Sequence, residues 1–225
     1  MSLLYLYAVL AEPPTAALGQ GLAAEPLSLV ACGPLISVVG EMRAPPAVEG
    51  TALRGHDATI RRLADLVDAI LPARFATMAE DETALRALLE PRTASLGDAL
   101  RLVAGCEQMT LRVFGPALPP PRAATDVPRE AGPGTRYLAA RFRATTPAGL
   151  EPVRAAVAAL VRAERITPHR TPPLLASVYH LVRRDETAAY RQNLAAAHLA
   201  PLRVEVSGPW PPYAFAPGPD AELVA

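Results

Sequence analysis

SGPWPPYAF, residues 207–215, is the stretch of this chain that decides the fold. It holds the one tryptophan of the chain, three prolines and two further aromatic side chains. Proline fixes φ and has no amide hydrogen to donate, so the stretch is excluded from a central strand and from a helix interior. The residues before it, LRVEV at 202–206, alternate as a strand with one buried face does. The pattern therefore predicts a strand that runs into a stiff tail presenting aromatic rings in set directions.

The bulk composition indicates a globular protein with a sizeable core. The chain has 225 residues, enough for one large domain or two small ones, and 51% of them are hydrophobic. Its formal net charge is zero, so no basic stripe indicates nucleic acid as the main partner. All 22 basic residues are arginine, which we attribute to coding bias, given the abundant alanine and proline. A near-neutral, aromatic-poor surface repels copies of itself only weakly, which suits a protein that works in assemblies.

The cysteines and the hydropathy pattern favour a cytoplasmic location. Cys32 and Cys106 lie far apart in sequence, and we expect two buried thiols in a reducing compartment, with no disulfide between them. The apolar start at residues 1–7 lacks a basic region and soon meets Glu12-Pro13-Pro14, so it predicts a strand and not a signal peptide. No apolar run approaches about 18 residues, so we expect no membrane span.

The first half of the chain mixes strands and helices. Residues 3–10 predict a buried strand, and residues 27–31 and 35–39 predict a hairpin across a Cys-Gly-Pro turn. Apolar residues recur at spacings of three and four over 52–71, which predicts an amphipathic helix. Pro72 ends that helix and opens a strand predicted to run to Met78.

Further capping signals and a closing strand complete this half. Asp81 is expected to cap a short helix, and Ser95 with Asp98 predicts the capping box of another helix that runs to about Gly105. Alternation over 109–113 predicts the last strand of an N-terminal domain, residues 1–114.

Residues 115–134 predict a semi-rigid linker, because the segment is rich in alanine and glycine and contains six prolines. The C-terminal domain is then residues 135–225. The type of element at 137–143 is ambiguous. Pro152 is expected to open a helix. The sequence then predicts a strand at 174–182, central or covered on both faces, and a helix at 185–198. The expected fold class is α+β, with small mixed sheets backed by helices on one side.

No motif points to catalysis, a metal or a cofactor. Gly19-Gln20-Gly21 with Ala24 imitates a dinucleotide fingerprint, but Pro26 follows where a helix should be under way, so a surface loop is expected. His180 lies within the apolar strand and is expected to be a core histidine with its hydrogen bonds satisfied. A thiol–imidazole pair of His180 with either cysteine is the chemical alternative.

Three segments, in order and over nearly the whole chain, resemble the gas vesicle protein F/L family. VSGPWPPYAF at 206–215 is similar to its C-terminal signature, and LYLYAV at 4–9 resembles its first strand. LPARFAT at 71–77, followed by DETALRALL at 81–89, resembles its central strand-to-helix signature. One difference is Ala76, where the family usually has glycine.

The resemblance implies a fold and a function. It implies two ferredoxin-like α+β modules, a variant at the N-terminus and a reduced one at the C-terminus, and it favours a helix at 137–143. It implies a non-enzymatic accessory protein of gas vesicles, the hollow protein shells that give cells buoyancy. Such a protein would bind the hydrophobic shell protein and other accessory proteins, in the cytoplasm or on the vesicle, and assist assembly or nucleation. It would bind neither nucleic acid nor membrane; the oligomeric state stays open.

Two other classes of function stay open at this stage. One is a regulator or enzyme that binds a small ligand on ferredoxin-like modules. The other is a structural component that remains in the finished shell.

Five residues are candidates for contact with a protein partner. Arg74 and Phe75 form either a surface arginine–aromatic patch, or an ion pair of Arg74 with Asp81 or Glu82 beside a buried Phe75. Trp210, Tyr213 and Phe215 form either an exposed aromatic anchor or a tail folded back to seal the core of the second domain.

Overall fold

A computed structural model describes residues 2–115, 150–169 and 171–217. Its chain divides into two compact units, the first formed by Met1–Glu107 with Trp210–Ala225 and the second by Gln108–Pro209. Nearly all of the predicted linker at 115–134, and the segment at 137–143, lie outside the described residues.

The first unit is built on an antiparallel sheet in the order β2-β3-β1-β4, with β5 also paired to β1. The predicted hairpin is confirmed: Cys32 pairs with Leu35 across a turn in which Gly33 has a φ of +62°. The strands are β1 Leu3–Leu10, β2 Leu27–Cys32, β3 Leu35–Met42, β4 Ile70–Pro72 and β5 Met78–Ala79.

Three helices cover both faces of this sheet: α1 Gly50–Ala64, α2 Glu82–Leu89 and α3 Thr93–Val103. On one face, Ile60 and Leu63 of α1 pack with Tyr5, Tyr7 and Val38. Successive side chains of a strand point to opposite faces, and the register shift between Leu6 and Ala8 moves this alternation by one residue. Leu6 and Val9 therefore both face α2 and α3. The α+β class is thus confirmed, but the expectation of mixed sheets with helices on one side is wrong for this unit.

Local predictions failed where backbone pairing overrode periodicity. The helix predicted over 52–71 ends at Ala64, because Ile70–Pro72 pairs with β1. The strand predicted over 72–78 is interrupted by a turn, in which the amide and hydroxyl of Thr77 donate to the carbonyl of Arg74.

Of the two predicted helix caps, at Asp81 and at Ser95, the first is confirmed and the second is wrong. The cap at Asp81 is confirmed by its bond from the amide of Ala84, at 2.8 Å. The capping box at Ser95 is wrong: α3 begins two residues earlier, and the Ser95 hydroxyl donates back to the carbonyl of Arg92.

The second unit has a four-stranded sheet in the order β7-β8-β6-β9. Strand β8 is central, as predicted, and β9, which contains Pro209, lies at an edge, where proline is tolerated. Strand β7 was missed, because no strand was predicted between the helix that Pro152 opens and the strand at 174–182. The elements are β6 Cys106–Phe114, α4 Glu151–Val157, β7 Val161–Pro168, β8 Leu174–Arg183, α5 Thr187–Ala196 and β9 Arg203–Trp210. No helix in the described ranges is long and apolar enough to cross a membrane.

A polar network joins both helices of this unit to its sheet. Arg154 of α4 donates to Glu164 of β7, at 2.6 Å and 3.0 Å. In the neutral tautomer, His180 donates from Nε2 to Glu164 at 2.9 Å and accepts at Nδ1 from the Tyr190 hydroxyl, at 2.7 Å. The hydrogen bond from His180, and then Arg154, lower the pKa of Glu164 to about 2. His180 is therefore a core histidine with both ring nitrogens satisfied, as predicted.

Replacing Glu164 by Gln should destabilise the second unit by about 2–3 kcal/mol. The folded protein stabilises the charged carboxylate of Glu164 relative to its neutral form, and Gln cannot carry that charge. The contribution is fully present above the unfolded pKa of about 4.5 and is lost as pH falls toward about 2. Urea unfolding at pH 7 and at pH 3 measures both effects. The control is Glu205→Gln, which affects only an exposed pair with Arg203 and should cost under about 0.5 kcal/mol. Equal losses in the two variants would contradict the assignment.

Candidate protein-binding site

The aromatic tail is folded onto the first unit. After Trp210, residues Pro211 and Pro212 are buried, and Tyr213–Phe215 forms a single 3-10 turn closed by a bond from the Phe215 amide to the Pro212 carbonyl, at 3.0 Å. Phe215 is 1% exposed. The expectation that this tail seals the second domain is therefore wrong, because its contacts are with α1 and the first sheet.

Two side chains of α1 hold the tail, in an arrangement that we call the tail clamp (Asp57, Arg61, Trp210 and Tyr213). The Tyr213 hydroxyl donates to Asp57 Oδ1 at 2.9 Å, and Arg61 Nε donates to Asp57 Oδ2 at 2.7 Å. The Arg61 guanidinium lies over the Trp210 ring, 4.1 Å from its centroid. Burial, and then the Asp57 charge, raise the pKa of Tyr213, so the phenol remains a hydrogen-bond donor at neutral pH.

A second set of bonds fixes the turn that carries Arg74 and Phe75. The amide of Ala76 donates to the Tyr5 hydroxyl at 3.2 Å, and that hydroxyl lies 2.8 Å from His56 Nδ1. The other ring nitrogen of His56 lies 3.3 Å from the Ala73 carbonyl. Burial lowers the pKa of His56, which favours a neutral ring that accepts from Tyr5 and donates to Ala73.

Between the tail and helices α2 and α3 lies an open cavity of about 360 Å³, the basic groove. Tyr213 and Pro217 contribute from the tail, and Leu88, which is 44% exposed, lies at the groove. Its apolar walls are formed by Leu6, Val9, Leu71, Leu88, Leu89 and Leu96.

The charged side chains lining the groove are both arginines, Arg74 and Arg92. Arg92 donates to the carbonyl of Pro217 at 2.5 Å and so joins α3 to the tail. Arg74 is exposed. The predicted ion pair of Arg74 with Asp81 or Glu82 is absent among the described residues, where Asp81 caps α2 and Glu82 pairs with Arg86.

The five candidate residues fall into two groups. Arg74 and Tyr213 line the groove, whereas Phe75, Trp210 and Phe215 do not. Phe75 is half-buried and packs edge-on against Tyr5 and His56, with ring centroids 6.4 Å and 5.6 Å away. The aromatic residues thus mainly shape the site.

Sequence analysis missed His56, Asp57 and Arg61, which position the tail and the turn. A signal was present for His56, because it lies four residues before Ile60 on the apolar face of α1. Asp57 and Arg61 are also four apart, but nothing in the sequence pairs them with a tail about 150 residues away.

Other chemical candidates remain structural in the described part of the chain. Cys32 and Cys106 are both buried thiols with no disulfide, and the Cys32 thiol lies 3.5 Å from the Ser37 hydroxyl. Gly19 to Pro26 forms a loop closed by a bridge between Gln20 and Pro26. Over residues 2–115, 150–169 and 171–217, no three metal-ligating side chains gather.

Ala76→Gly should stabilise the protein by about 1 kcal/mol. Ala76 has a φ of +62°, a left-handed conformation that strains any residue with a Cβ and that glycine adopts freely. This also explains why glycine is the residue expected there from the family resemblance. Urea unfolding measures the effect, and Ala73→Gly in the same turn is the control, expected to lose about 0.5–1 kcal/mol. An Ala76→Gly variant no more stable than wild type would contradict the argument.

The comparisons with known proteins all indicate one family. The family model described as gas vesicle synthesis protein GvpL/GvpF matches residues 3–217. Gas vesicle protein L of Streptomyces sp. (strain CB03234) is 30% identical, with 88% of this chain and 85% of that protein covered.

Two crystal structures share the fold. GvpF from Anabaena sp. PCC7120 has a TM-score of 0.71 at 17% identity, covering 96% of this chain and 97% of its own. GvpF from Microcystis aeruginosa has a TM-score of 0.73 at 15% identity, covering 96% and 100%. The resemblance found in the sequence is therefore confirmed, and this chain belongs to the GvpL/GvpF family of gas vesicle synthesis proteins.

Proposed function

We propose that this chain is a non-enzymatic accessory protein that binds the hydrophobic gas vesicle shell protein and assists vesicle assembly or nucleation. Family membership supports a role in gas vesicles. The observation that carries the binding role is the basic groove, an apolar cavity lined by leucines at which the side chain of Leu88 is 44% exposed.

The proposed mechanism is temporary cover for apolar surface. Shell subunits expose apolar surface before they assemble and would otherwise aggregate. A leucine-lined groove accepts the apolar face of an amphipathic segment, the common helix-in-groove mode of recognition. Arg74 and Arg92 at the groove then favour a segment whose apolar positions are flanked by carboxylates, since complementary charge mainly sets specificity.

The candidate residues have separate roles in this proposal. Arg74 and Tyr213 contact the partner directly. Phe75 supports the turn from behind, and Trp210 and Phe215 hold the tail that forms one wall of the groove. We place the protein at the gas vesicle or its assembly site, together with other accessory proteins.

Leu88→Glu should weaken capture of the shell protein at least about tenfold, because it puts a charge into the apolar groove. Tagged chain is co-expressed with the shell protein, and the co-purified amount and the yield of vesicles are measured. The control is Leu53→Glu, a similarly exposed leucine (42% against 44%) on α1 that does not line the groove. This control should retain capture.

Three results would overturn the proposal. The first is that the wild-type chain captures no shell protein and that vesicles also form normally after the gene is deleted. Another is a strong, specific thermal shift with one metabolite, which would favour the ligand-binding alternative. The third, retention in washed and intact vesicles without effect on their assembly, would indicate a structural shell component.

A further inference from the structure

Helix α3 has a second open face, on a larger cavity of about 740 Å³ that we call the acidic cleft. The cleft is separate from the basic groove, and the two share no lining residue. Its walls come from four segments of the first unit: residues 11–15 after β1, the hairpin end at 34–35, the connection at 66–69 and one face of α3. Pro13, Pro14 and Pro34 stiffen two of these segments.

The face of α3 toward this cleft carries the small residues Thr93, Ala94 and Gly97, one turn apart, beside larger side chains. Glycine inside a helix costs about 1 kcal/mol relative to alanine. Nothing within the described residues requires it, because a Cβ at Gly97 would meet only the Arg101 guanidinium, at an ordinary contact distance of 3.6 Å. The missing side chain instead keeps the helix surface low where another backbone can approach closely.

The charges of the cleft are opposite to those of the groove. Three carboxylates line it, Glu12, Asp68 and Asp98, with one cation, Arg101, which pairs with Asp98. Three negative charges and one positive give a formal charge of −2, against +2 for the two arginines of the groove. Apolar surface for packing comes from the half-buried Leu66 and Val67, above the buried Leu35 and Leu100.

We propose that the acidic cleft docks a helical segment of a second polypeptide, with an apolar face flanked by arginine or lysine. The small-residue face of α3 allows the closer helix–helix distances, near 8 Å in the usual range of about 8–10 Å. The carboxylates select the basic flanks and disfavour acidic segments. This inference does not depend on the shell protein. The chain then carries two docking sites of opposite charge preference on the two sides of α3, as an adaptor between two polypeptides would.

A display library of random 16-residue peptides, selected on the full chain, tests the proposal. The peptides recovered most often should carry arginine or lysine beside apolar residues at helical spacing. By fluorescence anisotropy, Gly97→Leu should weaken them at least about tenfold, because leucine fills the cleft. The double variant Glu12→Gln, Asp68→Asn should weaken them about threefold to tenfold, with less dependence on salt than wild type.

The control is Ser95→Leu, which adds the same side chain at an exposed position of α3 outside the cleft and should leave binding unchanged. Gly97→Leu removes a helix glycine, so its thermal stability should equal or exceed that of wild type. Peptides that ignore Gly97→Leu, that are acidic, or that lose binding equally in Ser95→Leu would overturn the proposal. Capture of the shell protein by Gly97→Leu should be unchanged, which separates failure here from failure of the groove.

Discussion

The first unit depends on one carboxylate, that of Asp57, which holds the aromatic tail around Tyr213 against α1. Its two oxygens accept from different partners, the Tyr213 hydroxyl and the Arg61 side chain, and Arg61 in turn covers the Trp210 ring. A carboxylate shared in this way orients both donors at once, so the tail is fixed in direction as well as in place. The buried Phe215 and the two buried prolines add the apolar contacts that Asp57 alone would not supply.

The position of the tail has a direct consequence for function. Tyr213, Ala216 and Pro217 form one side of the basic groove, and Arg92 completes it by bonding the Pro217 carbonyl. Without the tail clamp the groove would lose the wall that these three residues form. The rigid aromatic segment therefore acts mainly as a wall, and the contacting surface lies on the helices and on Arg74. Helix α3 lies at both proposed sites: its Leu96 lines one cavity, together with Arg92 just before the helix, and its Gly97 and Arg101 line the other.

Local signals in the sequence predicted most elements, because turns, caps and alternation act over a few residues. The hairpin at Gly33, the cap at Asp81 and the apolar strand β8 follow from such signals. The failures have a common cause. Ile70 and Leu71 continue a helical spacing, but pairing with β1 makes them a strand. The alternation of β7 is weak, because its residues are half-buried or exposed along its whole length. The same sequence pattern is equally compatible with a helix. The tail, although recognised as stiff, was assigned to the wrong unit because Asp57 and Tyr213 lie 156 residues apart.

The one tryptophan of the chain lies in the tail clamp, so its fluorescence reports on the clamp alone. Acrylamide quenching of Trp210 is measured in wild type and in Asp57→Ala, with Asp65→Ala, at the C-terminal cap of the same helix and outside the clamp, as a control. We predict stronger quenching and a red-shifted emission for Asp57→Ala, because Arg61 and Tyr213 both lose their shared acceptor, and no change for Asp65→Ala. Identical quenching in all three proteins would contradict the account, since the tail would then be held without Asp57.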